Sequence, residues 1–94
     1  MSDVFEALAH PVRREVLERL QQEGELSAGD LFDGLDVSKP TLSHHLKVLT
    51  EAGLVDRERR GTFVYYRIDQ SIVEEVVHKV FDLLGVGHER REVT

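Results

Sequence analysis

The stretch Ser-Lys-Pro-Thr-Leu-Ser-His-His-Leu-Lys-Val-Leu, residues 38–49, sets two adjacent histidines beside serine, threonine and lysine. Histidines so placed could ligate a metal, act as acid or base, or recognise a partner by hydrogen bonds. A metal site within one helix needs ligands three or four residues apart. From His44 those positions hold Pro40, Thr41, Lys47 and Val48; from His45 they hold Thr41, Leu42, Val48 and Leu49. None is a good zinc ligand, so the pair is not read as a metal site. No local nucleophile with an acidic orienter suggests catalysis, so no catalytic residue is assigned and no enzyme is expected. Recognition remains. Ser43, His44 and Lys47 can donate to, or accept from, base edges and phosphates.

The flanking pattern positions these groups. At about 100° per residue, Leu42, Leu46 and Leu49 fall within about 40° of one another and form a buried stripe. His45 lies about 60° from the stripe centre, as a semi-buried support, and His44 about 160° away on the outer face. Pro40 and Lys47 share that outer face, with Thr41 and Ser43 on its flanks.

Charge marks the same region. The 94-residue chain has a formal net charge of −6. Residues 38–67 nevertheless carry six Lys and Arg against three Asp and Glu, whereas residues 1–37 and 68–94 are both net acidic. A local basic face is what phosphate binding requires, whatever the total. The absence of cysteine excludes disulfides, thiolate metal sites and thiol redox sensing. No apolar run approaches the roughly 18 residues of a membrane span and no secretory leader is read, so a cytoplasmic location with no membrane partner is expected.

One domain is expected over residues 1–94, with no linker, repeat or low-complexity stretch. Val4, Phe5 and Leu8 mark a short helix over residues 3–9. Pro11 opens a second helix, which Gly24 ends. Ser27 caps a short helix with Asp30 three residues on, and Ser38 caps the next, running to Gly53. Two helices joined by a tight turn read as a helix-turn-helix, with residues 38–53 as its second member. Past Gly53 the period falls to two: Val64, Tyr66 and Ile68 alternate with Phe63, Tyr65 and Arg67. Residues 54–68 thus form a β-hairpin with a basic tip at Arg60-Gly61-Thr62. A last apolar-striped helix spans residues 71–84, before Gly85. The fold class is α+β, mostly helical: about five helices plus a hairpin.

Taken together, LAHPVRREVLERL, GELSAGDL, VSKPTLSHHLKVLTEAGLV and RRGTFVYYRI resemble the ArsR/SmtB family of winged helix-turn-helix transcriptional regulators, and within it the small autorepressors of the sporulation-delay type. The resemblance covers residue 5 to about residue 84. It implies a homodimeric repressor that binds double-stranded operator DNA as an inverted repeat and needs no cofactor. It implies that the recognition helix contributes Lys39, Pro40, Thr41, Ser43, His44 and Lys47, and the wing Arg57, Arg59, Arg60, Gly61 and Thr62. Arg13, in the family's Pro-x-Arg motif, would be structural or contact the DNA backbone.

The family's thiolate sensors carry cysteines where this chain has ELSAGDL, so arsenite, cadmium or lead sensing at that site is excluded. Zinc sensors use the last helix, where only His78 and His88 survive here, with spacing off by one. Glu74, His78 and Asp82 recur every four residues and, with His88, are the candidates for any metal. His10 stands where Asp is frequent in the family and is read as a local turn residue. The apolar faces of the first and last helices (Val4, Phe5 and Leu8 with Val73, Val76, Val77, Val80, Phe81 and Leu84) exceed what so small a domain covers, which points to dimerisation. An unknown effector or a sequestering protein is open as a further partner. The alternative functions are a winged-helix protein-interaction module without DNA binding and a zinc-type sensor using the last helix.

Overall fold

In the computed structural model, residues 3–85 are described. They form helices α1 (Val4–Leu8) and α2 (Pro11–Glu23), strand β1 (Leu26–Ser27), helices α3 (Ala28–Asp33) and α4 (Lys39–Glu51), strands β2 (Val55–Arg60) and β3 (Phe63–Ile68), and helix α5 (Ile72–Leu84). Among these residues no helix is long and apolar enough to cross a membrane.

Side-chain caps start the first four helices. Asp3, His10, Ser27 and Ser38 each accept a backbone N–H of the first turn, an otherwise unpaired donor. Pro11 and Pro40 lie in first turns, where a missing N–H costs no helical hydrogen bond. Helix α5 starts differently: the N–H and hydroxyl of Ser71 both donate to the Asp69 carboxylate, at 3.0 and 2.6 Å. Those bonds hold the Asp69 carboxyl below the usual carboxylate range.

Strands β2 and β3 form the hairpin, with Val55 opposite Ile68 and Arg60 opposite Phe63. Its two-residue turn is Gly61-Thr62, and Gly61 takes φ 63°, as the first position of a type II′ turn demands. Strand β1 adds a third antiparallel strand on the far side of β3, pairing Leu26 with Tyr66. Two residues are too few to show a period, so the sequence reading has no such strand.

Alternation sets the faces of the sheet. Val55, Val64, Tyr66 and Ile68 turn toward the helices, where Val16, Leu20, Leu31, Leu42, Leu46 and Leu49 complete the core at 0–3% exposure. Burying each such side chain contributes on the order of 1.5–3 kcal/mol. The α4 stripe read from the sequence is therefore the centre of the domain.

One apolar assignment needs correction. Val4 is 8% exposed and belongs to the core with Ala7, so it is not free for a partner. The spacing of Val4, Ala7 and Leu8 turns this face of α1 inward, and the sequence reading had paired Val4 with Phe5 instead. Helix α5 shows the reverse. It has no buried residue; Ile72 and Val76 touch the core, while Val73, Val77, Phe81, Leu83 and Leu84 are exposed by 41–72%.

Candidate nucleic-acid interface

Helices α3 and α4 form the two helical arms of the helix-turn-helix, and α4 presents its polar side outward. Lys39, Pro40, Thr41, Ser43, His44 and Lys47 are all exposed. The first turn of α4 is fixed by Ser38, whose Oγ accepts the Thr41 N–H and donates to Thr41 Oγ1 at 2.9 Å. Lys39 Nζ lies 5.4 Å from the centre of the Phe32 ring, so α3 gives this cation an apolar rest.

The wing closes on α4 from the side. Ser43, Lys47 and Thr50 of α4 line one groove with Arg57 of β2 and Tyr66 of β3. Arg57 and Arg59 lie on the same pleat face as Val55, facing the helices, opposite Tyr66 and Val64. Helix and hairpin thus bring together Ser43, Lys47 and Arg57, which the sequence reading took from separate segments.

Arg60 has another environment. Its guanidinium donates to both oxygens of Glu25, Nη1 to Oε1 at 3.0 Å, and to Glu58 Oε1 at 2.9 Å. It also stacks over Tyr65, 4.5 Å from the ring centre. Arg67 lies 3.6 Å from the same Glu58 oxygen. Arg60 holds the Glu58 carboxyl below the usual range, and the two carboxylates raise the Arg60 pKa in turn. The sequence reading gave Arg59 and Arg60 one role; the structure separates them, because neighbours on a strand face opposite ways. Arg60 is engaged by carboxylates, whereas Arg59 donates from Nε to the Gly61 carbonyl in the exposed turn with Thr62. Glu25 lies 35 residues from Arg60. Such a contact leaves no local signal in the sequence.

The two histidines occupy different environments. His44 is exposed and His45 is 4% exposed, deeper than an edge position predicts. The cover comes from α2: Arg13 Nη1 lies 3.1 Å from His45 Nδ1, and the His10 ring is 4.3 Å from the His45 ring. Arg13 is itself buried and donates to the Ala7 and Glu6 carbonyls of α1. It is a structural residue. His10 is more than a turn residue, since its Nδ1 accepts the Val12 N–H.

Among the described residues no group of three or more His, Cys, Asp or Glu could hold a metal ion within the chain. Glu74, His78 and Asp82 lie along α5, and His88 lies outside the described residues.

Known proteins share this fold and its helix-turn-helix. Residues 8–58 match the family described as Helix-turn-helix domain. The Transcriptional repressor SdpR of Bacillus subtilis (strain 168) is 32% identical over 93% of this chain and 96% of its own. The Biofilm growth-associated repressor of Agrobacterium fabrum (strain C58 / ATCC 33970) is 37% identical over 92% of this chain and 73% of its own. The solved structure titled Possible transcriptional regulator for arsenical resistance superposes with a TM-score of 0.78 at 34% identity, covering 99% of this chain and 95% of its own. Such relatives are regulators, not enzymes. By its fold, its helix-turn-helix and these likenesses, the chain belongs to the ArsR family of winged helix-turn-helix transcriptional regulators.

Proposed function

We propose that the protein is a homodimeric repressor of the cytoplasm that binds an inverted-repeat operator in double-stranded DNA. The observation that carries this reading is the groove in which Ser43 and Lys47 of α4 meet Arg57 of β2. A recognition helix enters the major groove with its N-terminal part against base edges. Lys39, Thr41, Ser43 and His44 are the exposed polar groups there, and Pro40 lies among them. Lys47, Arg57 and Arg59 then meet phosphates, and Gly61 and Thr62 bring the wing tip to the backbone. Arg60 supports the wing from its outer face.

The second copy covers α5. Val73, Val77, Phe81 and Leu84 are too apolar and too exposed to suit a face left in water, and Phe5 and Leu8 are only partly covered on α1. Pairing these surfaces across a two-fold axis places two recognition helices on successive major grooves. Val76 and Val80, half-buried in the protomer, border the interface. Neither DNA recognition nor this pairing requires a cofactor.

Footprinting upstream of the chain's own gene tests the reading. Protection of a pseudo-palindrome with half-sites about one helical turn apart is expected. Failure to protect any DNA there or at neighbouring promoters, with no salt-dependent binding, favours a protein-interaction module instead.

A further inference from the structure

We propose that His10, Arg13 and His45 form a positioning link by which protonation of His45 loosens the DNA-reading helix, so that acid weakens operator binding. The inference rests on the DNA-binding reading above and adds a regulatory input to it.

The hydrogen bonds fix the protonation states. Arg13 Nε donates to the Ala7 carbonyl at 2.8 Å and Nη2 to the Glu6 carbonyl at 3.1 Å. Its Nη1 lies 3.1 Å from His45 Nδ1. A guanidinium offers only donors and keeps its proton, so His45 Nδ1 is the acceptor and the ring proton sits on Nε2. His10 holds the same tautomer, since its Nδ1 accepts the Val12 N–H at 3.1 Å. The His45 ring is thereby neutral.

A proton added to His45 Nδ1 removes the acceptor and sets an N–H against the Arg13 fork. It also creates a second cation beside Arg13, at a residue only 4% exposed. The titratable and charged groups that act on His45 are His10 and Arg13 from α2 and His44 from α4. Helix α1 contributes the carbonyls of Glu6 and Ala7 to the same arginine. Among the described residues, the charged groups that act on His45 include no carboxylate, and its burial leaves little water to offset a new positive charge. Burial first, then these three neighbours, hold its pKa below the ordinary histidine value.

Arg13 ties the C-terminal part of α1, the first turn of α2 and the middle of α4 together through one side chain. Its contact on α4 lies next to the outward-facing His44. Loss of that contact frees the edge of α4 that the stripe of Leu42, Leu46 and Leu49 does not hold. His44, on the outer face of the same helix, is common to the wild type and to any variant at His45. The decisive comparison is therefore between the wild type and a variant lacking only the buried titration.

His45→Asn is that variant, because Asn Oδ1 stands near the place of Nδ1 and accepts from Arg13 without titrating. A duplex selected from a random-sequence pool by the full chain at about pH 8 serves as probe, and Kd is measured by anisotropy from about pH 8 to about pH 5.5. The two proteins should bind within about threefold at the upper pH, while the wild type should lose affinity progressively as pH falls and be about twofold or more weaker than the variant at the lower. His10→Asp, which keeps a good N-cap and adds an anion beside His45, should move the loss to higher pH. Parallel pH profiles for wild type and His45→Asn overturn the proposal.

An NMR titration of the wild-type chain without DNA separates this idea from the DNA-binding reading. The Arg13 Nε–H and the backbone amides of α1 and α4 should shift together with the His45 ring. If they stay still while His45 titrates, the link is refuted even where a duplex binds. If no duplex is selected at any pH, the DNA-binding reading fails and the titration alone decides whether the link exists.

Discussion

Arg60 clasps the Glu25 carboxylate with both arms of its guanidinium, while Arg59, one residue earlier, sits on the opposite pleat face of β2. Glu25 and Glu58 already neutralise Arg60, so its charge is not free to displace a counterion from a DNA phosphate. Arg59→Ala should therefore reduce the slope of log Kobs against log salt by about one unit. Arg60→Ala should leave that slope nearly unchanged and weaken binding through a less ordered wing. Salt titrations of both variants on one duplex check this; equal slope changes place Arg60 on a phosphate after all.

His44 is the exposed member of the histidine pair, next to Ser43 and one turn from Lys47. If it reads a base edge, His44→Ala costs about 1–3 kcal/mol on the preferred duplex and relaxes preference at one base pair per half-site. Parallel selections with wild type and variant measure both effects. An unchanged preferred sequence assigns His44 to the backbone or to solvent.

Much of this architecture is legible in the sequence because its signals are local. Ser38 and Ser27 announce helix starts, the Leu42–Leu46–Leu49 stripe announces a core, and the alternation of Phe63 to Ile68 announces the wing. The differences are all tertiary. The inward turn of Val4, the two-residue strand at Leu26, the tie from Arg60 to Glu25 and the cover of Arg13 over His45 depend on segments distant in the chain. Helical angle alone set His45 at the margin of the stripe. It could not say that α2 seals that margin.

Helix α5 offers the test of assembly. Val77 is 43% exposed in the protomer, so an aspartate there keeps access to water in the monomer but disfavours an apolar interface strongly. Val77→Asp should yield a folded monomer by light scattering, with unchanged helical circular dichroism and greatly reduced operator affinity. A surviving dimer moves the interface to another surface.

The lowered pKa of His45 also makes stability depend on pH. The unfolded chain takes up this proton near pH 6.5, at about the ordinary histidine value, whereas the folded chain resists it until lower pH. The unfolded state thus binds more protons in between, and stability falls as pH drops from about 6.5 through the folded-state pKa. Denaturant unfolding of wild type and His45→Asn should show a smaller acid loss in the variant. Identical losses assign the acid response to other groups.

Ser38 closes the N-terminus of α4 with one bond to the Thr41 N–H and one to Thr41 Oγ1. Ser38→Ala removes both and should cost about 1 kcal/mol. In a domain of this size that corresponds to a Tm lower by about 4–8 °C, provided protein concentration is held fixed so that dimerisation does not shift it. Ser38→Asp restores an acceptor at the same site and should recover most of the loss. The same pair separates stability from recognition. If the cap orders the turn that presents Lys39 and Thr41, Ser38→Ala weakens operator binding below its Tm and Ser38→Asp restores the turn while adding a negative charge near DNA. Recovery of Tm without recovery of affinity then identifies the surface around Ser38 as one that faces phosphates, and recovery of both places it away from them.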